Sequence, residues 1–151
     1  MDSIDRQIIG LLQKNARSSI SEISSQVNLS IPATSDRIRK IESAGIITQY
    51  TAIVNAAALN RKLTALMFIS LEKPRFSDNF VSFVNTQDEI LACHYLAGDF
   101  DYLMKIVTES TETLEKLLRV IKEVPGVRKT QTIVTLCTVK DIHSVTPQDP
   151  A

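Results

Sequence analysis

Residues 19–45 read SISEISSQVNLSIPATSDRIRKIESAG. Ser19-Ile20-Ser21-Glu22 has the form of a capping box, in which a serine hydroxyl and a glutamate carboxylate each satisfy a free backbone N–H at a helix start. Ile23 and Val27 give the short helix that follows its buried side, and Asn28-Leu29 marks a turn. Ser30 can cap a further helix, and Pro32 is tolerated in its first turn, where N–H groups lack partners anyway. Gly45 is a natural C-terminal stop. Two short helices joined by a tight turn predict a helix-turn-helix, a unit that lays its second helix into the DNA major groove.

On a wheel of ~100° per residue, Ile31, Thr34, Ile38 and Ile41 fall on one side of that second helix. Pro32, Ala33, Asp36, Lys40 and Ser43 fall opposite, with Ser35 and Arg39 along one edge and Arg37 along the other. The outward face is therefore small near its start and cationic toward its middle. Small residues let a helix approach base edges; cations reach phosphates on the groove walls. The expected DNA-binding set is Ser30, Pro32, Ala33, Ser35, Asp36, Arg37, Arg39 and Lys40, with Pro32, Ala33, Ser35 and Asp36 toward bases and the cations on phosphates. Arg37 and Arg39 also have Asp36 and Glu42 within reach at helical spacing.

Upstream, Ile4, Ile8, Leu11 and Leu12 predict a helix over Ser3–Lys14, capped by Asp2 or Ser3 and closed by Asn15 and Arg17. Downstream, Ile46 to Val54 is a β-branched, extended run, and residues 55–63 read as a linker with a turn. A second pattern then begins. Leu66 to Leu71 is an apolar strand; Phe76, Phe80, Phe83 and Val84 mark a helix; Ile90 to Ala97 and Tyr102 to Val107 form a hairpin around Gly98-Asp99-Phe100-Asp101. Leu114, Leu117, Leu118 and Ile121 mark another helix, Pro125-Gly126 ends it, and Val127 to Val139 reads as a long last strand. The order β-α-β-β-α-β is the ferredoxin-like split unit. The fold class is thus α+β: a winged-helix-like helix-turn-helix domain over 1–45, a linker strand and hinge over 46–63, a ferredoxin-like domain over 64–140 and a tail over 141–151. From Lys140 the chain has no periodicity and carries Pro147 and Pro150, which predicts a tail that is loose or ordered only by contact.

The strands load both faces: Leu66 and Phe68 on one, Met67, Ile69 and Leu71 on the other, with Ile133, Cys137 and Val139 against Val134 and Leu136 in the last strand. Two helices cover only one face of a sheet. The second apolar face predicts burial against the same sheet of another subunit, hence a symmetric dimer.

Composition sets the limits. The chain has 151 residues, 44% hydrophobic and 23% charged, which fits globular rather than disordered protein. Two small domains of this size are each marginal alone, a further reason to expect an oligomer. Seventeen basic residues balance seventeen acidic ones, which argues against a chain that coats nucleic acid throughout but leaves room for a local basic face. Cys93 and Cys137 sit in apolar runs and read as small core residues, without C-x-x-C spacing. His94 and His143 stand alone, so no metal or other cofactor is expected. No catalytic set can be assembled, and the chain is not expected to be an enzyme. No apolar run reaches the ~20 residues needed to span a membrane, and the acidic, polar start is unlike a signal peptide. A cytoplasmic place is expected.

Four stretches together resemble the leucine-responsive / asparagine-synthetase-regulator (Lrp/AsnC) family of transcription factors of bacteria and archaea. They are IDRQIIGLLQKNAR at 4–17, LSIPATSDRIRKIESAGIITQY at 29–50, YLAGDFDYLMKI at 95–106 and PGVRKTQTIVTL at 125–136. The resemblance covers about residues 1–140. It implies an N-terminal domain that binds double-stranded DNA in the nucleoid and a C-terminal domain that senses an effector and oligomerises. It also implies dimers that assemble into octamers, with free amino acids or related small molecules bound between dimers. The effector site so implied comprises Gly98, Asp99, Phe100 and Asp101 with Arg128, Thr130 and Thr132. Backbone N–H groups at such a turn suit a carboxylate, and aspartate and threonine oxygens suit an ammonium group. The chain departs from the family at Asn60, where glycine is common. Arg128 occupies a position at which pocket chemistry varies among members.

Overall fold

Helix α1 spans Ser3–Lys14, and Asp2 caps it reciprocally: its carboxylate accepts the Asp5 N–H while the Asp5 carboxylate accepts its own. A computed structural model describes residues 1–148 in two units, Met1–Ile53 with the tail from Lys140, and Val54–Val139. In the first unit α2 covers Ile20–Val27 and α3 covers Ile31–Ser43. The Ser19/Glu22 capping box is present, and Ser30 caps α3 by accepting the Ala33 N–H at 3.3 Å. Ile8, Ile9 and Leu12 of α1 bury against Ile23 and Val27 of α2 and Ile41 of α3. Thr34 is fully buried, and its hydroxyl donates back to the Ser30 carbonyl at 3.0 Å, so no polar group is left unpaired. The end of α3 is a Schellman closure. Gly45 takes φ +68°, the Ile46 N–H reaches the Ile41 carbonyl and the Gly45 N–H reaches that of Glu42.

One expectation for this unit changes. Residues 46–54 form no strand ladder among the described residues, because an extended run needs a second strand to bond and none lies alongside. The tail makes a contact of the kind expected to order it: the Gln13 side-chain amide donates to Ser144 Oγ at 2.8 Å and to the Val145 carbonyl at 2.7 Å. Pro150 lies outside the described residues.

The second unit opens with a 3-10 turn at Ala56–Leu59, and Asn60 follows at φ +59°. Asparagine tolerates this left-handed geometry better than most residues, so it serves where glycine would. Four strands follow: β1 (Leu63–Leu71), β2 (Ile90–Tyr95), β3 (Tyr102–Thr108) and β4 (Val127–Val134). They form one antiparallel sheet in the order β2-β3-β1-β4. Helices α4 (Ser77–Val84) and α5 (Thr111–Glu123) supply the covering layer. Ala65, Met67 and Ile69 pair with Ile106, Met104 and Tyr102, and together they bury against Phe80, Leu117 and Ile121.

Leu66, Phe68 and Leu103 point to the other face and remain half-buried in the single chain, where Ile133 is 46% exposed. The last strand is shorter than its sequence suggests. Its final ladder bond runs from the Thr135 N–H to Thr64, because β1, its only partner in the sheet, begins at Leu63. Leu136, Cys137 and Val139 are therefore exposed rather than core. Cys93 is half-buried against the core, as a small core residue would be. Gly126 makes the sharp entry to β4 at φ +89°, where a Cβ would fall 2.1 Å from the Phe76 ring.

Candidate nucleic-acid interface and effector site

The exposed side of α3 carries Pro32, Ser35, Asp36, Arg39 and Lys40, with Ala33 half-buried among them. Ser30 is exposed, but its hydroxyl is engaged as the helix cap. Arg39 reaches Asp36 at 2.6 Å within the helix, and both side chains are largely exposed. Such an exposed pair contributes little and is screened by salt. Ile31, the first residue of α3, is 51% exposed. It extends the outward face with an apolar group of the kind that meets thymine methyls. The wheel places Ile31 with the inner residues, but it is not part of the α1–α3 core.

Arg37 has different partners from those its spacing suggests. Its Nη1 lies 2.7 Å from an oxygen of Asp2 and 2.7 Å from an oxygen of Asp5, both at the start of α1. Glu42 instead accepts the Tyr50 hydroxyl at 2.8 Å. Burial, helped by that carboxylate, pushes the Tyr50 phenol up to about 12. Beside α3, an open depression of about 540 Å³ is lined by Met1, Asp5, Ala33, Arg37, Lys40 and Ala44.

In the sheet unit the turn at 98–101 is fixed by four hydrogen bonds. The Leu96 N–H donates to the Asp101 carbonyl and the Asp101 N–H to the Ile69 carbonyl, each at 2.8 Å. The Leu71 N–H donates to the Asp101 carboxylate at 2.7 Å, and the Ser70 hydroxyl to the Asp99 carbonyl at 3.3 Å. The Phe100 ring rests on Phe68, with centroids 5.3 Å apart, and Lys129 Nζ sits 4.9 Å from the Phe100 centroid. Gly98 and Asp99 are exposed. The backbone of Gly98 is not left-handed, and a Cβ there would meet nothing within 4 Å.

The turn therefore gathers Asp99, Phe100 and Asp101 with Ser70 and Lys129, two residues that sequence reasoning did not single out. Thr130 and Thr132 pair with Ile69 and Met67, which places them on the helix-covered face at the sheet edge. Lys129, opposite Ser70, belongs to the open face. Arg128 is exposed and is the extra residue of a β-bulge, since Lys129 pairs with Ser70 and Val127 with Leu71. Alternation along β4 carries the signal for Lys129, but the bulge conceals which parity faces which side.

Residues 64–145 match the Lrp/AsnC ligand binding domain, and residues 1–48 match a winged helix-turn-helix DNA-binding domain. The chain belongs to the Lrp/AsnC family. It is 35% identical over 141 residues to the HTH-type transcriptional regulator FL11 of Pyrococcus abyssi, covering 93% of each protein. It is 38% identical over 143 residues to the leucine-responsive regulatory protein of Klebsiella pneumoniae, covering 93% of this chain and 87% of that one. Among solved structures, the Neisseria meningitidis transcriptional regulator NMB0573 in complex with L-Met superposes with a TM-score of 0.92 at 28% identity, over 96% of each chain. The Mycobacterium tuberculosis leucine response regulatory protein LrpA does so with 0.83 at 29%, over 97% of this chain and 100% of that one. This Lrp/AsnC chain thus pairs a DNA-binding unit with a ligand-binding unit. Among its described residues no helix is long and apolar enough to cross a membrane.

Proposed function

We propose that this Lrp/AsnC transcription regulator reads duplex DNA through the outer face of α3 and answers to a free amino acid held at the turn of residues 98–101. Pro32, Ala33, Ser35 and Asp36, joined by Ile31, face base edges, while Arg39 and Lys40 hold phosphates. Ser30 contributes by fixing the start of the helix. In the sheet unit, Gly98, Asp99 and Phe100 contact the effector, Asp101 fixes the turn, and Lys129 supplies a cation for the carboxylate. Arg128 projects from its bulge toward a neighbouring subunit, and Thr130 and Thr132 line the sheet edge. The effector is of the amino-acid class to which the L-Met bound by the Neisseria protein belongs.

The observation that carries this reading is the pinned turn. One hydrogen bond from the Asp101 N–H, one to the Asp101 carboxylate and one from the Ser70 hydroxyl hold it against β1, while its tip at Gly98 opens onto empty space. Nothing within the subunit excludes a side chain there, so the space beside Gly98 is free for a ligand or a neighbouring subunit. The open sheet face with Leu66, Phe68, Leu103 and Ile133 supports a dimer, assembling further to an octamer that brackets the effector between dimers. Such a protein acts in the cytoplasm on the nucleoid. It is a regulator and not an enzyme, as its family is one of transcription regulators.

Titration calorimetry with the twenty free amino acids tests the reading, followed by DNA binding at fixed salt with and without any that bind. At least one amino acid should bind and shift the affinity for the protein's own upstream DNA by about 5–150-fold. Binding by none of them would sink the sensing role. Equal affinity for upstream and random DNA would recast the chain as an architectural wrapper.

A further inference from the structure

We infer that Arg37 does not contact DNA but clasps the recognition helix to the start of α1, with Asp2 and Asp5 as the other half of the clasp, so that this triad sets how α3 enters the groove. The inference rests on the DNA-reading role of α3 proposed above.

One guanidinium nitrogen, Nη1, lies 2.7 Å from each of two carboxylates. Charge-assisted contacts this short are among the strong hydrogen bonds of proteins. The two acids are not mobile side chains recruited from solvent. Asp2 Oδ1 accepts the Asp5 N–H at 2.9 Å and Asp5 Oδ2 accepts the Asp2 N–H at 3.0 Å, so each carboxylate is already oriented by the backbone of the first turn of α1. The Asp5 N–H, and then the Arg37 guanidinium, hold the Asp2 carboxyl below its ordinary value. The Asp5 side chain is 18% exposed, that of Arg37 30% and that of Asp2 51%, whereas Arg39, the neighbouring cation of α3, is 74% exposed.

Charge gives the second argument. The three side chains of the triad sum to a formal −1, so Arg37 within it is not a free cation for a phosphate. Using Arg37 as a phosphate contact would break two short bonds and leave two acids facing DNA. Left in place, the same bonds join residues 35 and 32 positions apart and tie the midpoint of α3 to the N-terminus of the chain. Lys40 and Arg39 remain as the cations for phosphate.

The test uses the full-length protein and a duplex that it selects from a randomised pool, with affinity measured across a series of KCl concentrations. Arg37→Gln should weaken binding about tenfold, in the range of coupling for groups in one hydrogen-bonded network, with the salt slope unchanged. Asp2→Asn with Asp5→Asn should weaken binding in the same direction, although asparagine still caps α1. The triple variant should bind no worse than Arg37→Gln alone. Asp5→Asn singly serves as a milder variant if Arg37→Gln does not fold. A salt slope reduced by about one in Arg37→Gln, or tighter binding when the acids are neutralised, would show Arg37 to be a phosphate ligand and overturn the inference. Failure of the unaltered protein to select any duplex would instead remove the DNA-reading role, and this inference with it.

Discussion

The carboxylate of Asp101 accepts the backbone N–H of Leu71 at 2.7 Å, while the Asp101 N–H donates to the Ile69 carbonyl at 2.8 Å. One residue thus fastens the tip of the β2–β3 hairpin to the end of β1, and the aspartate of a turn works as an anchor. Replacing Asp101 by Ala should leave the Leu71 N–H without its partner and cost about 1–3 kcal/mol. Urea unfolding measures this; a loss below about 0.5 kcal/mol, the level of a plain surface change, would show the anchor to be dispensable.

Gly98 should behave in the opposite way. A side chain there meets open space within the subunit and no backbone strain. Gly98→Val should therefore unfold within about 0.5 kcal/mol of the parent yet lose amino-acid binding, because the added methyls fill the space the effector needs. Calorimetry and denaturation on the same sample separate the two effects. Unaltered effector affinity would place the ligand elsewhere.

Lys40 is exposed on the outer face of α3. Lys40→Ala should weaken binding to all duplexes alike and reduce the salt slope by about 0.9. A changed sequence preference at constant slope would instead mean that Lys40 reads bases.

Ile133 lies on the open sheet face and is 46% exposed in the single chain. Ile133→Glu is accommodated in a lone subunit but puts charges opposite one another across a sheet-to-sheet interface. Sedimentation should show the assembly falling toward the 16.8 kDa subunit. An unchanged assembly would exclude this face as the dimer contact.

Acid should loosen the helical unit through its caps. The Ser19 backbone N–H, then its hydroxyl, holds the Glu22 carboxyl below its ordinary value of 4.5. A carboxylate depressed in the folded state stabilises above its unfolded value, and that stabilisation is lost as pH falls through the lower, folded value. The melting temperature should therefore decline as pH drops below 4.5, and Glu22→Gln should decline less steeply. Parallel curves for the two proteins would remove Glu22 from the acid response.

What was legible in the sequence follows from the range of the forces involved. The capping box at Ser19, the Ser30 cap and the Gly45 stop act over three or four residues, so the chain announces its helices by itself, while the choice of Asp2 over Ser3 as the cap of α1 waited for the structure. The alternation of Met67 and Ile69 with Leu66 and Phe68 likewise fixes a sheet with two apolar faces. The order of elements, and with it the helix-turn-helix followed by a ferredoxin-like unit, required nothing more.

Tertiary structure alone decided the rest, because it depends on partners distant in sequence. Arg37 has an acid one residue away and another five away, but it binds Asp2 and Asp5 because the packing of α1 on α3 brings those carboxylates to it. The strand expected to reach Val139 stops near Thr135, since its length is set by where β1 begins. Arg128 bulges out of β4, and that single extra residue puts Lys129 on the face with Phe100 and turns Thr130 and Thr132 toward the helices. Local hydrogen bonding wrote the elements into the sequence; the register between strands and the contact between helices chose which side chains meet.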